Sequence, residues 1–166
     1  HQLMETASRM LRRHAEVTVV DLYELGWNPV LDAAELSAAR RSAPEVVAQQ
    51  HLLRECDLLI LQFPLWWHGM PAIVKGWFDR VFSLGFAYGI KHPDTGRTLK
   101  YGDGGLTGRR ALTIVTAGDR RPSFEPRGIN GDIELLLFPL LHGTLWYSGM
   151  AALRPHLIAA MPEYQR

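Results

Sequence analysis

Cysteine is almost absent from this chain. One residue of 166, Cys56, is a cysteine. That excludes an intrachain disulfide framework and makes a reducing compartment, the cytoplasm, the expected setting. Long apolar runs are missing as well: none approaches the roughly 20 residues that a membrane-spanning helix needs, and no signal-peptide pattern is visible. No sign of charge dominates, because 18 Lys and Arg stand against 17 Asp and Glu, interspersed along the chain. Nothing therefore points to nucleic acid or an anionic membrane as a partner. The short basic groups Arg12-Arg13-His14 and Arg120-Arg121 read as solvated ends. The seven histidines show no metal-ligand spacing of the HxxxH kind, so no metal is expected. Ser83 and Ser148-Gly149 lack a nucleophile-elbow context, which disfavours hydrolase chemistry. No internal repeat or low-complexity tract appears.

What the chain does have is apolar residues enough for one ordinary core, 47% of the total, so residues 1–166 read as a single domain. It is organised around Leu58 to Tyr88, LLILQFPLWWHGMPAIVKGWFDRVFSLGFAY. The opening apolar run suits a strand buried on both faces. Pro64 ends it, Trp66 to Gly69 turn the chain, and Pro71 suits the first turn of a helix. Ile73, Val74, Trp77, Phe78, Val81 and Phe82 then repeat on one helical face. In an open α/β sheet the loop leaving a strand's carboxyl end is where ligands bind. A loop with Trp66, Trp67 and His68 beside a helix start suits a flat, partly anionic ligand. Trp77, Phe78 and Phe82 read as core or dimer contacts, and Lys75, Asp79 and Arg80 as a charged helix face.

Around that unit, Gln2 to His14 reads as a helix and Glu16 to Asp21 as a β-branched strand. Residues 33 to 41 read as a helical turn or a covering segment. Ser42-x-x-Glu45 has capping-box spacing for a helix to Glu55 that would bury Val46, Val47, Leu52 and Leu53. Phe86 to Arg110 has seven glycines and prolines in all but no periodicity; a segment of that kind is usually functional or mobile. Ala111 to Thr116 is the next buried strand. Asp132 is placed to cap a helix that Pro139 disturbs, and Leu153 to Ala159 resembles a last strand, at an edge because of Pro155. The alternation argues for α/β architecture in three layers, a doubly wound parallel sheet. The four strands read as the second to fifth of the flavodoxin-like order 2-1-3-4-5. The domain is thus expected to start after a missing first strand, and it stops before any helix that would cover the last one.

From Phe63 onward the run FPLWWHGMPAIVKGWFDRVFSLGFAYG resembles the signature of the NAD(P)H:quinone oxidoreductases, DT-diaphorase-like flavoproteins. The likeness resumes at LTIVTAG, GINGD and FPLLHGTLWYSGM. It implies a flavodoxin-like fold, bound FAD (FMN in some relatives), NAD(P)H as co-substrate, a homodimer and two-electron quinone reduction. By the same resemblance, Pro64, Leu65, Trp66, Trp67 and His68 form the loop that holds the flavin ring and ribityl chain, and Thr116, Ala117 and Gly118 form a second flavin loop. Tyr88 closes the substrate pocket from the partner subunit, and Tyr147 lies at its far side, with Trp67 and His68 as further walls.

The chain departs from the family pattern at GINGD. Asn130 stands where the best-known members have histidine, and Ser123 and Phe124 stand where a tyrosine is expected. Asn130 can donate a hydrogen bond but cannot become cationic. Charge stabilisation during hydride transfer is then expected to be weaker, or to be supplied by backbone N–H groups around Gly118; Gly118, Asn130 and Tyr88 are the catalytic candidates. A rival reading implied by some relatives is a flavin-binding regulatory subunit of a potassium-efflux channel, with segment 89 to 108 as the surface for that membrane partner.

Overall fold

The computed structural model describes residues 2–36 and 42–159. Its elements are α1 (Gln2–Leu11), α2 (Ala33–Leu36), α3 (Pro44–Glu55), β1 (Leu58–Pro64), α4 (Ala72–Val81), β2 (Arg110–Ala117), a 3-10 turn (Arg121–Phe124), α5 (Ile133–Leu136), α6 (Phe138–Leu140), a π-helical turn (Leu141–Trp146), β3 (Ala151–Ala152) and β4 (His156–Ala159). β2 is the centre of a parallel sheet. β1 pairs with it from Leu58↔Arg110 to Pro64↔Thr116, and β3 and β4 pair with its other edge. Pro155 lies between β3 and β4; having no N–H to give the ladder, it splits the expected last strand in two. Ala111, Thr113, Val115 and Ala117 of β2 are buried, as a strand at the middle of a covered sheet requires.

Glu16 to Asp21 is not a strand. Its β-branched residues favour extended backbone, but a strand needs a ladder partner, and the segment has none among the described residues. Val19 and Val20 are exposed. β1 pairs with β2 alone among the described residues, so the direct pairing of Glu16–Asp21 onto β1's other edge does not occur. α1 ends at Leu11 and buries no residue, with Met10 exposed.

The buried face of α3 is Val46, Gln49, Gln50 and Leu53. Val47 and Leu52, which the sequence placed in the core, are 49% and 37% exposed. The two glutamines take their place because each finds a partner on or just after α4. Trp77 Nε1 donates to Gln49 Oε1 at 3.1 Å, and Gln50 Nε2 donates to the Val81 carbonyl at 3.0 Å and Ser83 Oγ at 3.1 Å. A buried amide with its hydrogen bonds made costs little. Ser42 does not cap this helix; Ala43 does, with no side-chain bond. The capping box lies earlier, where the Glu35 N–H donates to Asp32 Oδ1 at 2.8 Å and the Asp32 N–H to Glu35 Oε2 at 3.4 Å. Of the expected turn at 33–41, Ala33–Leu36 forms; positions 37–41 lie outside the described residues.

On α4, Trp77, Phe78 and Phe82 pack in the core with ring centroids 4.7–5.7 Å apart. Lys75 and Asp79 form an exposed pair, but Arg80 does not share that face: it is buried, 5% exposed. Its guanidinium donates to Glu35, to Glu45 at 2.7 Å and to the Asn28 carbonyl at 2.8 Å, and lies 4.8 Å from the Trp27 ring. Beside it Gly76 lets the 28–30 loop close in, since a Cβ there would stand 2.1 Å from the Pro29 carbonyl oxygen.

The aperiodic segment 86–110 is tied down rather than structureless. Tyr101, Gly102 and Leu106 donate backbone N–H groups to the carbonyls of Tyr147, Trp146 and Ser148 at 2.8–3.1 Å. Leu106 is fully buried. The signal was hidden because these contacts run through backbone, where Gly104 and Gly105 leave no side chain to clash with Ser148 and Phe86. Asp132 caps α5, accepting the Glu134 N–H at 2.7 Å, and Pro139 breaks the helix soon after α5 ends. Asp132→Ala is expected to cost about 1 kcal/mol, read as a lower urea midpoint with an unchanged slope. No helix among the described residues is long and apolar enough to cross a membrane.

Candidate active site

The carboxyl ends of β1 and β2 are held side by side. Pro64 is opposite Thr116, and one residue on the Leu65 N–H donates to the Thr116 carbonyl at 2.8 Å. Beyond this clamp the two chains diverge around a cleft of about 430 Å³. Leu65, Trp67 and His68 line one side, and Ala117, Gly118 and Asp119 line the other, with Phe124 and Asn130 closing it. That volume lies within the range of small-molecule sites.

The first wall is a tight turn. Trp66 and Gly69 exchange backbone hydrogen bonds of 3.0 and 2.9 Å, with Trp67 and His68 at the tip. Both tip residues are left-handed, at φ 51° and 59°, a region that bulky side chains enter at a cost and mostly at functional sites. Trp67 is 102% exposed. The chain thus holds a strained turn that presents an indole bare to solvent, the reverse of what stability alone selects.

The second wall starts where β2 ends. The Gly118 and Asp119 N–H groups donate to no protein acceptor among the described residues. Asp119 Oδ1 accepts the Arg120 N–H at 2.7 Å, and Oδ2 accepts Asn130 Nδ2–H at 2.9 Å. These donors, with the Ser123 hydroxyl, hold its carboxyl below the usual carboxylate range. Asn130 is placed by the Gly128–Gly131 turn: its N–H donates to the Ser123 carbonyl at 2.9 Å. Gly128 has to be glycine there, because a Cβ would meet that carbonyl oxygen at 2.3 Å.

Of the residues singled out from sequence, Leu65, Trp67, His68, Ala117, Gly118 and Asn130 line the one cleft. Pro64 and Thr116 form its base as the paired strand ends, and Trp66 is a leg of the turn. Tyr88 and Tyr147 do not line it. The Tyr88 carbonyl accepts the Gly85 N–H beyond α4, at the sheet's other end, and Tyr147 packs edge-on to Tyr101, ring centroids 5.2 Å apart. Sequence reading missed Asp119, whose only signal was its place two residues past the end of a buried strand, and noted Phe124 only as a departure from an expected tyrosine. A second cleft, about 690 Å³, lies at the amino ends of the strands, lined among others by Arg54, Phe86, Ile90 and Arg97. It draws on segment 89 to 108, the surface considered for a channel partner, but contains none of the candidate flavin or substrate residues, and in open parallel sheets the carboxyl ends are where ligands bind.

The family model described as flavodoxin-like fold matches residues 1–165. A candidate quinone reductase from Klebsiella pneumoniae superposes with a TM-score of 0.88 at 38% identity, over 98% of this chain and 70% of that one. The human ribosyldihydronicotinamide dehydrogenase [quinone] is 36% identical over 92% of this chain and 71% of its own length. The chain belongs to the NAD(P)H:quinone oxidoreductase family. A ribosyldihydronicotinamide dehydrogenase-like protein of Penicillium crustosum is 40% identical over 84% of this chain but 59% of its own length. The chain thus spans about three fifths of that relative. The flavodoxin-like family fold accounts for the parallel sheet and for the crevice at its carboxyl edge.

Proposed function

We propose that this chain catalyses two-electron reduction of quinones by NAD(P)H with a bound flavin, FAD or in its place FMN. The observation that carries the reading is the crevice between Leu65–His68 and Ala117–Asp119, closed at its base by the Leu65–Thr116 hydrogen bond. Its residues fit a flat ring with one polar edge. Trp67 and His68 offer ring faces; Leu65, Ala117 and Phe124 offer apolar contact; the free Gly118 and Asp119 N–H groups offer donors. A bound flavin supplies hydride acceptance from NAD(P)H and hydride delivery to a quinone.

The chain's own residues do the rest. Trp67 covers one face of the ring, and Leu65 and Phe124 exclude water from its body. The backbone N–H groups of Gly118 and Asp119 hold negative charge where it grows, as fixed donors do. Asn130 lines the same edge, with its amide N–H turned toward Asp119. Tyr88 and Tyr147 act from the partner subunit of a homodimer, closing the substrate side. A single opening serves both substrates in turn, so the kinetics are ping-pong. The test is anaerobic mixing of the purified yellow protein with NADH or NADPH. Bleaching of the flavin absorption before any quinone is added, with recovery once it is, is expected. Turnover only when all components are mixed together would contradict the order of steps, and a colourless, inactive protein would contradict the function.

A further inference from the structure

Asp119 and Asn130 give the crevice rim an unusual polarity. Asn130 directs one amide N–H at Asp119 Oδ2 (2.9 Å), which leaves its second N–H and its carbonyl oxygen to offer a ligand. The Asp119 carboxylate can accept only, and of its roughly four lone-pair sites three are taken, by Asn130, the Arg120 N–H and the Ser123 hydroxyl. Both side chains line the cleft with Gly118 and His68. Asp119 is exposed but held by its donors, and Asn130 is placed by its turn. The Asn130 backbone is tied to the Ser123 carbonyl, and Gly128 packs against that same carbonyl. The rim therefore carries one negative charge that can only accept, the Asp119 carboxylate, beside an Asn130 amide that both donates and accepts.

We propose that Asp119 is a specificity-determining residue of the crevice, favouring planar ligands that bring N–H, O–H or positive charge to this rim and rejecting those that bring an anionic substituent. The proposal rests on the reading of the crevice as the flavin site, with the substrates entering at its open rim, and deepens it. A nicotinamide carboxamide, and the pyridinium ring formed once hydride has left, meet that requirement; a quinone carrying a sulfonate does not. Asp119 is open to water and Arg120 lies next to it, so screening limits the effect. One unit charge against another at contact distance in a water-like medium changes affinity about fivefold.

The test uses the purified holoprotein and two probes on one skeleton, neutral 2-(hydroxymethyl)anthraquinone and anthraquinone-2-sulfonate, with binding followed by tryptophan fluorescence. The wild type should bind the neutral probe about fivefold more tightly, and the ratio should shrink in 1 M salt. Asp119→Asn should bring the ratio within about twofold, and Asp119→Lys should invert it. Both probes binding with a ratio unmoved by either substitution would overturn the role of Asp119 while leaving the crevice as the site. Neither probe binding would overturn both.

Discussion

Arg80→Met is expected to destabilise the protein by about 3–5 kcal/mol, the range seen when one partner of a buried ion pair is removed. Arg80 and Glu35 are both buried, and the guanidinium donates to both carboxylate oxygens of Glu35 at 2.9–3.1 Å. Methionine fills much of the space but removes the Arg80 guanidinium from a buried carboxylate. It also frees the Asn28 carbonyl and the 27–30 loop that packs on Gly76. With three guanidinium hydrogen bonds gone, that carboxylate is less well compensated where it is buried, so Arg80→Met with Glu35→Gln should recover part of the cost. Urea unfolding of the two variants checks this; a double mutant no more stable than the single one would contradict it. The network also has a pH signature. A hydrogen bond from Arg80 holds the Glu45 carboxyl below its ordinary value of 4.5. A lowered carboxyl pKa gives stability that is whole above 4.5 and is lost as pH falls through the folded-state value. Acid unfolding of Glu45→Gln should accordingly be less steep.

Trp67→Ala should do the opposite: leave stability within about 0.5 kcal/mol of wild type, as an exposed site allows, and weaken flavin binding roughly thirtyfold. Stacking of a flat ring on an aromatic side chain is worth about 1–3 kcal/mol by alanine substitution, and each 1.4 kcal/mol is tenfold. The indole is wholly exposed and makes no ring contact among the described residues. Its backbone sits at φ 51°, a conformation that costs a bulky residue energy. Flavin titration beside a thermal melt separates the two effects. A lowered melting temperature with unchanged flavin affinity would assign Trp67 a structural role instead.

The central unit was legible because its signals are local. An apolar run, a proline stop and a helical repeat fix β1, its turn and α4 within 24 consecutive residues. Parallel pairing then makes neighbours of Leu65 and Thr116 without any further signal. What stayed hidden depends on partners far along the chain. Arg80 looks like one more solvated cation until Glu35, 45 residues earlier, folds over it. Gln49 and Gln50 look like surface residues until Trp77 and Val81 satisfy them. Glu16 to Asp21 shows the converse: local preference for extended backbone does not make a strand where no ladder is offered. Asp119 was passed over because an acid after a glycine turn is ordinary in sequence, and only the closing of the Gly128–Gly131 turn brings Asn130 onto it.

The most direct measurement is the structure of this protein crystallised with FAD. The flavin ring should lie between the Trp67–His68 turn and the Ala117–Gly118–Asp119 backbone, with its polar edge toward the free N–H groups. A ring found in the cleft at the amino ends of the strands, beside Arg54 and Phe86, or a crevice left without flavin at saturating concentration, would contradict the account.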